Sequence, residues 1–418
     1  MKIVLLSMNF APELTGIGKY SGEMAHALVD RGHEVVVVCA VPFYPSWSLD
    51  NDYANAYCRE QPRPGLTVLR CPIWLPRQLS GLKRALHLLS FAVTSAPVML
   101  ALVAWRPRVV MAVIPGLASA PMAWLAARLA GARCWLHVQD LELEAAFGLG
   151  MVKSQRILSL LRAAELRVLR GFDIISTISR RMLMRLAMKG VDMHATELLP
   201  NWVDLGKIRT DESTAELRRS LGIDAGQLVC LFSGTLNRKQ GLGVLIDTAR
   251  RLAADRPEVM LVICGNGEMR PALERQAAGL ANVRFLDLQP AALFGRLLAM
   301  ADIHLLPQLR GAADLVMPSK LAAMLASGRP VIAAADPGTE LSAVLRGLGI
   351  VTEPECADGF ARAIEGLADD RALRHALGAA SRSYAEKHLD AQVLFDRLEL
   401  QLQRMEATAL HRPATQYR

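Results

Sequence analysis

The chain is 418 residues long, 52% hydrophobic, 21% charged and 5% aromatic. That balance excludes disorder as the main state, and the length suits two domains. The net charge of +8 is too small a surplus to mark a nucleic-acid binder, and the few aromatics are not interleaved with the basic residues.

The chain opens Met1-Lys2-Ile3-Val4-Leu5-Leu6, without the cleavage site of a secretory leader. Ile3–Met8 reads as a strand, Gly18–Asp30 as a helix and Glu34–Ala40 as a strand. The loop Asn9–Tyr20 carries Gly16 and Gly18 into that helix. Glycines there permit a tight turn and close backbone approach, and the free N–H groups of a helix start favour an anion. The spacing Gly16, Gly18, Gly22 only approximates a dinucleotide fingerprint. The following strand ends Val38-Cys39-Ala40-Val41-Pro42, with no acid to hold ribose hydroxyls, which disfavours a nicotinamide enzyme. A plain tight turn is the other reading.

Residues 59–108 hold eight cations (Arg59, Arg63, Arg70, Arg77, Lys83, Arg84, Arg106, Arg108) and one acid, Glu60. Inside this shoulder, Gly81–Trp105 is an apolar helical pattern flanked by Lys83, Arg84 and Arg106. Cations beside apolar surface suit contact with an anionic membrane. A buried helix with a solvated basic rim and a spanning helix are the alternatives. Val68–Cys71, Val109–Val113, Cys134–Val138 and Ile174–Thr177 read as further strands. The strand Cys134–Val138 runs into His137-Val138-Gln139-Asp140-Leu141-Glu142, which sets His137, Asp140 and Glu142 where ligands meet open α/β sheets. A core histidine and a helix cap are the competing readings for His137 and Asp140. One histidine with irregularly spaced acids gives no metal-ligand pattern, so no metal is expected.

The pattern pauses at Leu199-Pro200-Asn201-Trp202-Val203-Asp204 and a polar stretch to about Gly226. It resumes with strand Leu228–Ser233, helix Val244–Ala254, strand Met260–Cys264, helix Met269–Ala278 and strands Val283–Leu286, Ile303–Leu306 and Val331–Ala334. Strand Leu228–Ser233 leads into Gly234-Thr235-Leu236-Asn237-Arg238-Lys239, a glycine turn followed by adjacent cations. Gly265-Asn266-Gly267-Glu268 ends the next strand, and Pro318-Ser319-Lys320 opens a helix. A guanidinium fork, a lysine point charge and a helix start together point to a nucleotide diphosphate. Residues 371–405 read as helical throughout. Seven cysteines without a CxxC pair read as reduced thiols, most of them buried.

Two βα arrays imply an α/β chain of two Rossmann-like domains, 1–205 and 206–385, with a helical tail over 386–418. The stretches around Gly16-Ile17-Gly18, Gly32-His33-Glu34-Val35, Leu199–Asp204, Ser233–Leu242, Gly265–Glu268, and Pro318-Ser319-Lys320 through Ile332 resemble glycosyltransferase family 4, of GT-B architecture. His137–Gly150 and Arg310–Asp314 look most like its WcaI subgroup, read as fucosyltransferases of bacterial colanic-acid and related exopolysaccharide assembly. The resemblance implies two domains facing a cleft, with the final helices crossing back to the first domain. It implies retaining transfer without a metal or other cofactor, from a nucleotide-sugar donor, GDP-fucose by the subgroup resemblance, to a lipid-linked glycan acceptor. The work would be done at the inner face of the cytoplasmic membrane.

Carried over by motif, Arg238 and Lys239 would neutralise the leaving diphosphate, and Ser319 and Lys320 would hold phosphate. Gly234, Gly265, Gly267 and Asp314 would complete the donor site. His137 and Asp140 would contact the transferred sugar or the acceptor, with Gly16, Gly18 and Glu142 on the acceptor side. Many relatives carry two glutamates eight residues apart, the second gripping the ribose; here those positions fall at Leu315 and Ala323, with Asp314 adjacent to the first. That departure supports another reading, a catalytically silent subunit of a polysaccharide assembly complex; a sugar-nucleotide epimerase, which needs no membrane acceptor, is a further alternative that the 59–108 shoulder argues against.

Overall fold

The computed structural model describes residues 1–13, 16–76, 81–115, 117–140, 155–210, 213–310 and 318–410, without the side chains of 155–158, 161, 239, 291 and 408–410. Its described residues divide into two units, Met1–Pro200 with Leu394–Arg418, and Asn201–Val393.

In the first unit, strands β1 (Lys2–Ser7), β2 (Glu34–Ala40), β3 (Cys58–Arg63), β4 (Leu66–Cys71), β5 (Val109–Ile114), β6 (Arg133–Val138), β7 (Ile174–Thr177) and β8 (Thr196–Leu198) form one sheet in the order β3-β4-β2-β1-β5-β6-β7-β8. Leu5 pairs with Val37 on one side and Met111 on the other, both in parallel. These central strands are Val-, Ile- and Leu-rich and buried almost end to end, as strands covered on both faces by helices must be. Helices α1 (Gly16–Asp30), α2 (Gly81–Ala101) and α3 (Ala120–Ala130) supply crossovers between parallel strands.

The second unit repeats the scheme with β9 (Leu228–Ser233), β10 (Val259–Cys264), β11 (Val283–Leu286), β12 (Ile303–Leu306), β13 (Val331–Ala334) and β14 (Gly349–Thr352), in the order β11-β10-β9-β12-β13-β14. Alternate residues feed two apolar layers. Val229, Leu231 and Val262 enter one, and Cys230, Phe232, Leu261 and Ile263 the other.

Several elements differ from the reading of the sequence. β3 is antiparallel to β4 across the Gly65 turn; its Cys-Arg-Glu-Gln-Pro-Arg sequence lies at the sheet edge, where no apolar run is needed. β8 and β14 are short, half-buried additions, and Ala215–Ser220 is helical within the polar stretch. The 371–405 pattern is two helices, Arg371–His388 and Ala391–Leu410. They part at Leu389-Asp390, where Val203 N–H donates to the Leu389 carbonyl at 2.8 Å and Ala391 N–H to the Val203 carbonyl at 3.0 Å.

The final helix belongs to the first unit from Leu394 onward. Leu394, Phe395, Leu398, Leu402 and Met405 are buried there. Arg31 meets Asp396 at 2.6 Å, His33 meets Glu399 at 2.6 Å, and Gln401 donates to Glu197 at 2.9 Å. The seven cysteines are free thiols, with Cys39, Cys71, Cys134, Cys230 and Cys264 buried.

Candidate functional site

In the second unit the carboxyl ends of β9 and β10 carry three glycines in a backbone region that side chains rarely adopt: Gly234 (φ 143°), Gly265 (φ 147°) and Gly267 (φ 155°). They let two turns pack backbone against backbone. Gly234 N–H donates to the Cys264 carbonyl at 2.9 Å, and Leu236 N–H to the Asn266 carbonyl at 2.9 Å. A Cβ on Gly265 would stand 1.9 Å from the Gly234 oxygen, and one on Gly267 2.4 Å from the Leu236 oxygen. Close approach of the two turns therefore requires glycine at both positions.

Lys320 heads the helix Lys320–Ala326 and closes this corner. Its Nζ donates to Gln240 Oε1 at 3.1 Å and lies 4.2 Å from the Phe232 ring centre. A Cβ on Gly234 would stand 2.8 Å from that nitrogen, so Gly234 makes the room the ammonium occupies. Burial pushes the Lys320 pKa down to about 7, because a desolvated ammonium gives up its proton more readily. Ser319 is exposed just before the helix, and its hydroxyl makes no cap bond. Arg238 begins the short helix Arg238–Gln240 with its guanidinium in solvent, 84% exposed; Glu268 is 3.9 Å away. Lys239 follows it in the same turn, and its side chain lies outside the described residues, as do Asp314 and Leu315. Ala323 is half-buried against the apolar layer.

Arg270 was not singled out from the sequence, yet it ties these turns together. Its Nη1 donates to the Gly265 carbonyl (3.0 Å), the Leu286 carbonyl (2.9 Å), Asn266 Oδ1 (3.0 Å) and Asp287 Oδ1 (2.9 Å). Gln240 was missed as well. Both follow a glycine turn at a strand end, which is the signal that could have flagged them.

In the first unit Gly16 (φ 61°) turns the chain after β1, and Gly18 lies against Glu13, where a Cβ would meet the carboxylate oxygen at 2.6 Å. Glu13 is a third residue the sequence reading missed. Its Oε1 accepts from the backbone N–H of Phe43 (3.2 Å) and Tyr44 (3.0 Å), and its Oε2 from Asn9 (2.9 Å). It pins the loop after β2 to the glycine turn. Burial raises its pKa, and the backbone donors at Tyr44 oppose the rise.

His137 is fully buried on β6. Nδ1 pairs with Ser176 Oγ at 2.8 Å and Nε2 with the Gln139 amide at 2.9 Å. Desolvation pulls its pKa down to about 3, so the ring is neutral. The structure thus seats His137 on side-chain partners beneath Gln139 rather than in solvent. Asp140 follows half-buried, and Glu142 lies outside the described residues.

The basic shoulder needs one correction. Arg70 is not a surface cation. It is 3% exposed, with Nε donating to Glu60 at 2.5 Å and Nη2 to the Ala11 carbonyl at 2.9 Å. Leu66, Val68 and Arg70 alternate inward along β4, and Glu60 of the neighbouring strand β3 takes the guanidinium. Arg63 pairs with Asp30 at 2.7 Å, and Arg77 is outside the described residues. On α2, His87, Phe91, Ser95 and Met99 form a buried stripe at four-residue spacing. Leu82, Leu86, Leu89, Val93 and Leu100 are exposed, with Lys83 and Arg84 at the start and Arg106 beyond the end. Gly81–Trp105 is long and apolar enough to cross a membrane, with 17% of its most apolar window buried.

Two parallel-dominated sheets, each with glycine turns at strand ends, and a last helix returned to the first unit define a GT-B glycosyltransferase. Residues 15–202 match the family described as "Glycosyl transferase 4-like domain", and residues 213–384 match "Glycosyl transferases group 1". The chain is 39% identical over 403 residues to the "Putative colanic acid biosynthesis glycosyl transferase WcaI" of Escherichia coli (strain K12), covering 94% of this chain and 97% of that one. Its fold is similar to sucrose-phosphate synthase of Thermosynechococcus elongatus (TM-score 0.75, 16% identity, 97% and 99% of the two chains). It is also similar to Anabaena Alr3699/HepE in complex with UDP-glucose (TM-score 0.66, 17% identity, 97% and 100%). The chain belongs to glycosyltransferase family 4, near WcaI, and is a nucleotide-sugar-dependent glycosyltransferase.

Proposed function

We propose that this chain transfers fucose from GDP-fucose, with retention and without a metal, to a lipid-linked oligosaccharide in the assembly of a colanic-acid-like bacterial exopolysaccharide. The observation that carries the transfer chemistry is the cationic corner of the second unit, Lys320 wedged at Gly234 beside the solvent-held Arg238. The polymer follows from near-full-length likeness to the colanic-acid relative.

The diphosphate lies across the glycine turns, where no Cβ keeps it off the backbone. Arg238 and Lys239 meet its oxygens, and Lys320 and the Ser319 hydroxyl meet the adjoining phosphate. As the sugar–oxygen bond breaks, negative charge grows on the leaving phosphate, and these preset cations stabilise it. His137 is neutral and acts by orientation, holding Gln139 at the carboxyl edge of β6 beside Asp140. Glu142 and Asp314 complete the acceptor and donor sides.

α2 lies along the inner face of the cytoplasmic membrane, its exposed leucines in the lipid boundary and Lys83, Arg84 and Arg106 on anionic headgroups. Its buried stripe supports this posture over a span, because crossing would strip His87, Phe91 and Met99 from the sheet.

Arg238→Ala tests the reading. Among the described residues the guanidinium meets only Glu268, at 3.9 Å and well exposed, so the fold is expected to persist while transfer from GDP-fucose falls by about two orders of magnitude. Ala323, which offers no carboxylate in the helix Lys320–Ala326, favours the other reading, a non-catalytic subunit. Absence of transfer by the wild type, together with no stabilisation of it by any nucleotide sugar, would favour that reading; unchanged transfer in Arg238→Ala would instead remove Arg238 from the chemistry.

A further inference from the structure

The loop after β2 is aromatic in a chain that has few aromatics. Tyr44, Trp47, Tyr53 and Tyr57 fall within it and Trp74 follows β4, although the whole chain has 6 Tyr and 6 Trp. Tyr44 (40% exposed) and Trp74 (44%) present their rings to solvent. Tyr44 also stands at the glycine turn, its ring carbon 3.6 Å from where a Cβ on Gly16 would be. That is the carboxyl edge of β1, where open α/β sheets meet their ligands.

The loop is built for position. Glu13 holds the Phe43 and Tyr44 amides. Trp47 keeps a left-handed backbone (φ 55°) that costs a non-glycine residue about 1 kcal/mol or more. Phe43, Trp47 and His87 of α2 form a mutual cluster, with ring centres 5.0 to 5.6 Å apart. His87 Nδ1 donates to the Trp74 carbonyl at 2.7 Å, and Ser90 Oγ accepts from Trp74 N–H at 3.0 Å. With its proton on Nδ1, the neutral ring leaves Nε2 as a bare acceptor, enclosed and without a partner among the described residues. An enclosed acceptor without a donor is an uncommon expense in a fold, and it sits beneath this aromatic surface.

We infer that Tyr44, Trp47 and Trp74 form a stacking subsite for a pyranose ring of the acceptor glycan, held beside Gly16 by the Phe43–Trp47–His87 cluster. A pyranose presents a face of C–H groups that packs on aromatic rings, while its hydroxyls turn to polar edges such as the Tyr44 phenol. The subsite is continuous with α2, so a lipid-linked acceptor would have its lipid along Leu82, Leu86 and Leu89 and its sugar on the aromatic loop. This assignment rests on the lipid-linked acceptor reading above.

The test is saturation-transfer difference NMR on the full chain with methyl β-D-glucopyranoside, methyl β-D-galactopyranoside and methyl α-L-fucopyranoside. At least one is expected to give ring-proton signals that fall about fivefold in Tyr44→Ala and in Trp74→Ala and survive in Tyr44→Phe. Thermal stabilisation by GDP-fucose, read on the same samples, is expected to be equal in all four proteins. Its absence from the wild type would sink the donor reading, and the pyranoside signals are scored separately. The subsite is overturned if no pyranoside gives a signal with the wild type, or if the signals persist in both alanine variants. It is overturned equally if those variants lose binding to anionic vesicles instead, which would make the aromatics a membrane belt.

Discussion

Lys320 offers the most quantitative test of the donor site. Its pKa of about 7 in the ligand-free fold means that about one in ten molecules carries the proton at pH 8. A diphosphate drawn into the Gly234 corner favours the ammonium form. Binding at pH 8 should then take up about 0.9 proton, and at pH 6 only about 0.1. Isothermal titration with GDP-fucose, whose phosphates do not titrate in this range, reads the uptake as a difference in heat between Tris and phosphate buffers. Lys320→Met should abolish it. The same lysine shapes the stability of the free protein. Its ordinary value is 10.5, so between about 7 and 10.5 the unfolded chain binds the extra proton and stability rises with pH. The rise should reach about 2–4 kcal/mol, below the full conversion of the shift because the residue as a whole keeps some contact with solvent, and should be missing from Lys320→Met. Identical heats in both buffers for the wild type, or unchanged uptake in Lys320→Met, would refute the placement of the diphosphate against this lysine.

Gly265→Ala should destabilise the second unit by about 3 kcal/mol or more, seen as a lower urea midpoint, since its Cβ has only 1.9 Å to the Gly234 oxygen. Arg70→Met should cost about 3–5 kcal/mol in thermal unfolding by leaving Glu60 unpaired, and adding Glu60→Leu should recover part of it. Replacing Lys83, Arg84 and Arg106 together by alanine should weaken binding to phosphatidylglycerol vesicles about a hundredfold, at about 1 kcal/mol per cation. Unchanged vesicle binding would remove α2 from the membrane contact.

The central strands were legible because a strand covered on both faces is a short, unbroken apolar run, as in Val109–Ile114 and Leu228–Ser233. Edge elements were not. β3 carries Arg59, Glu60 and Arg63, and nothing in its composition separates it from a loop. Glycine turns announced the donor corner in the sequence, but not what holds it, since Arg270 reads as one more surface arginine until four acceptors converge on it. Arg70 reads as surface charge when charge is counted along the chain, whereas its burial follows from alternation across β4. Glu13 and His87 share the same difficulty: each acts through partners about thirty or more residues away or on another segment, which spacing does not reveal.

The return of the last helix to the first unit has a consequence for synthesis. The ribosome makes residues 1–200 before 201–393, yet the apolar side chains Leu394, Phe395, Leu398, Leu402 and Met405, which bury in the first unit, emerge only after 201–393. Residues 201–393 have all of their own strands and helices in hand earlier. The nascent first unit must wait with its α1 flank uncovered while the second completes, so the order of synthesis and the order of folding need not coincide. A stall or premature stop between residues 200 and 394 would leave a chain whose first 200 residues are fully translated and still expose the seat of a helix that never arrives, a substrate for chaperones and proteases rather than a half-enzyme.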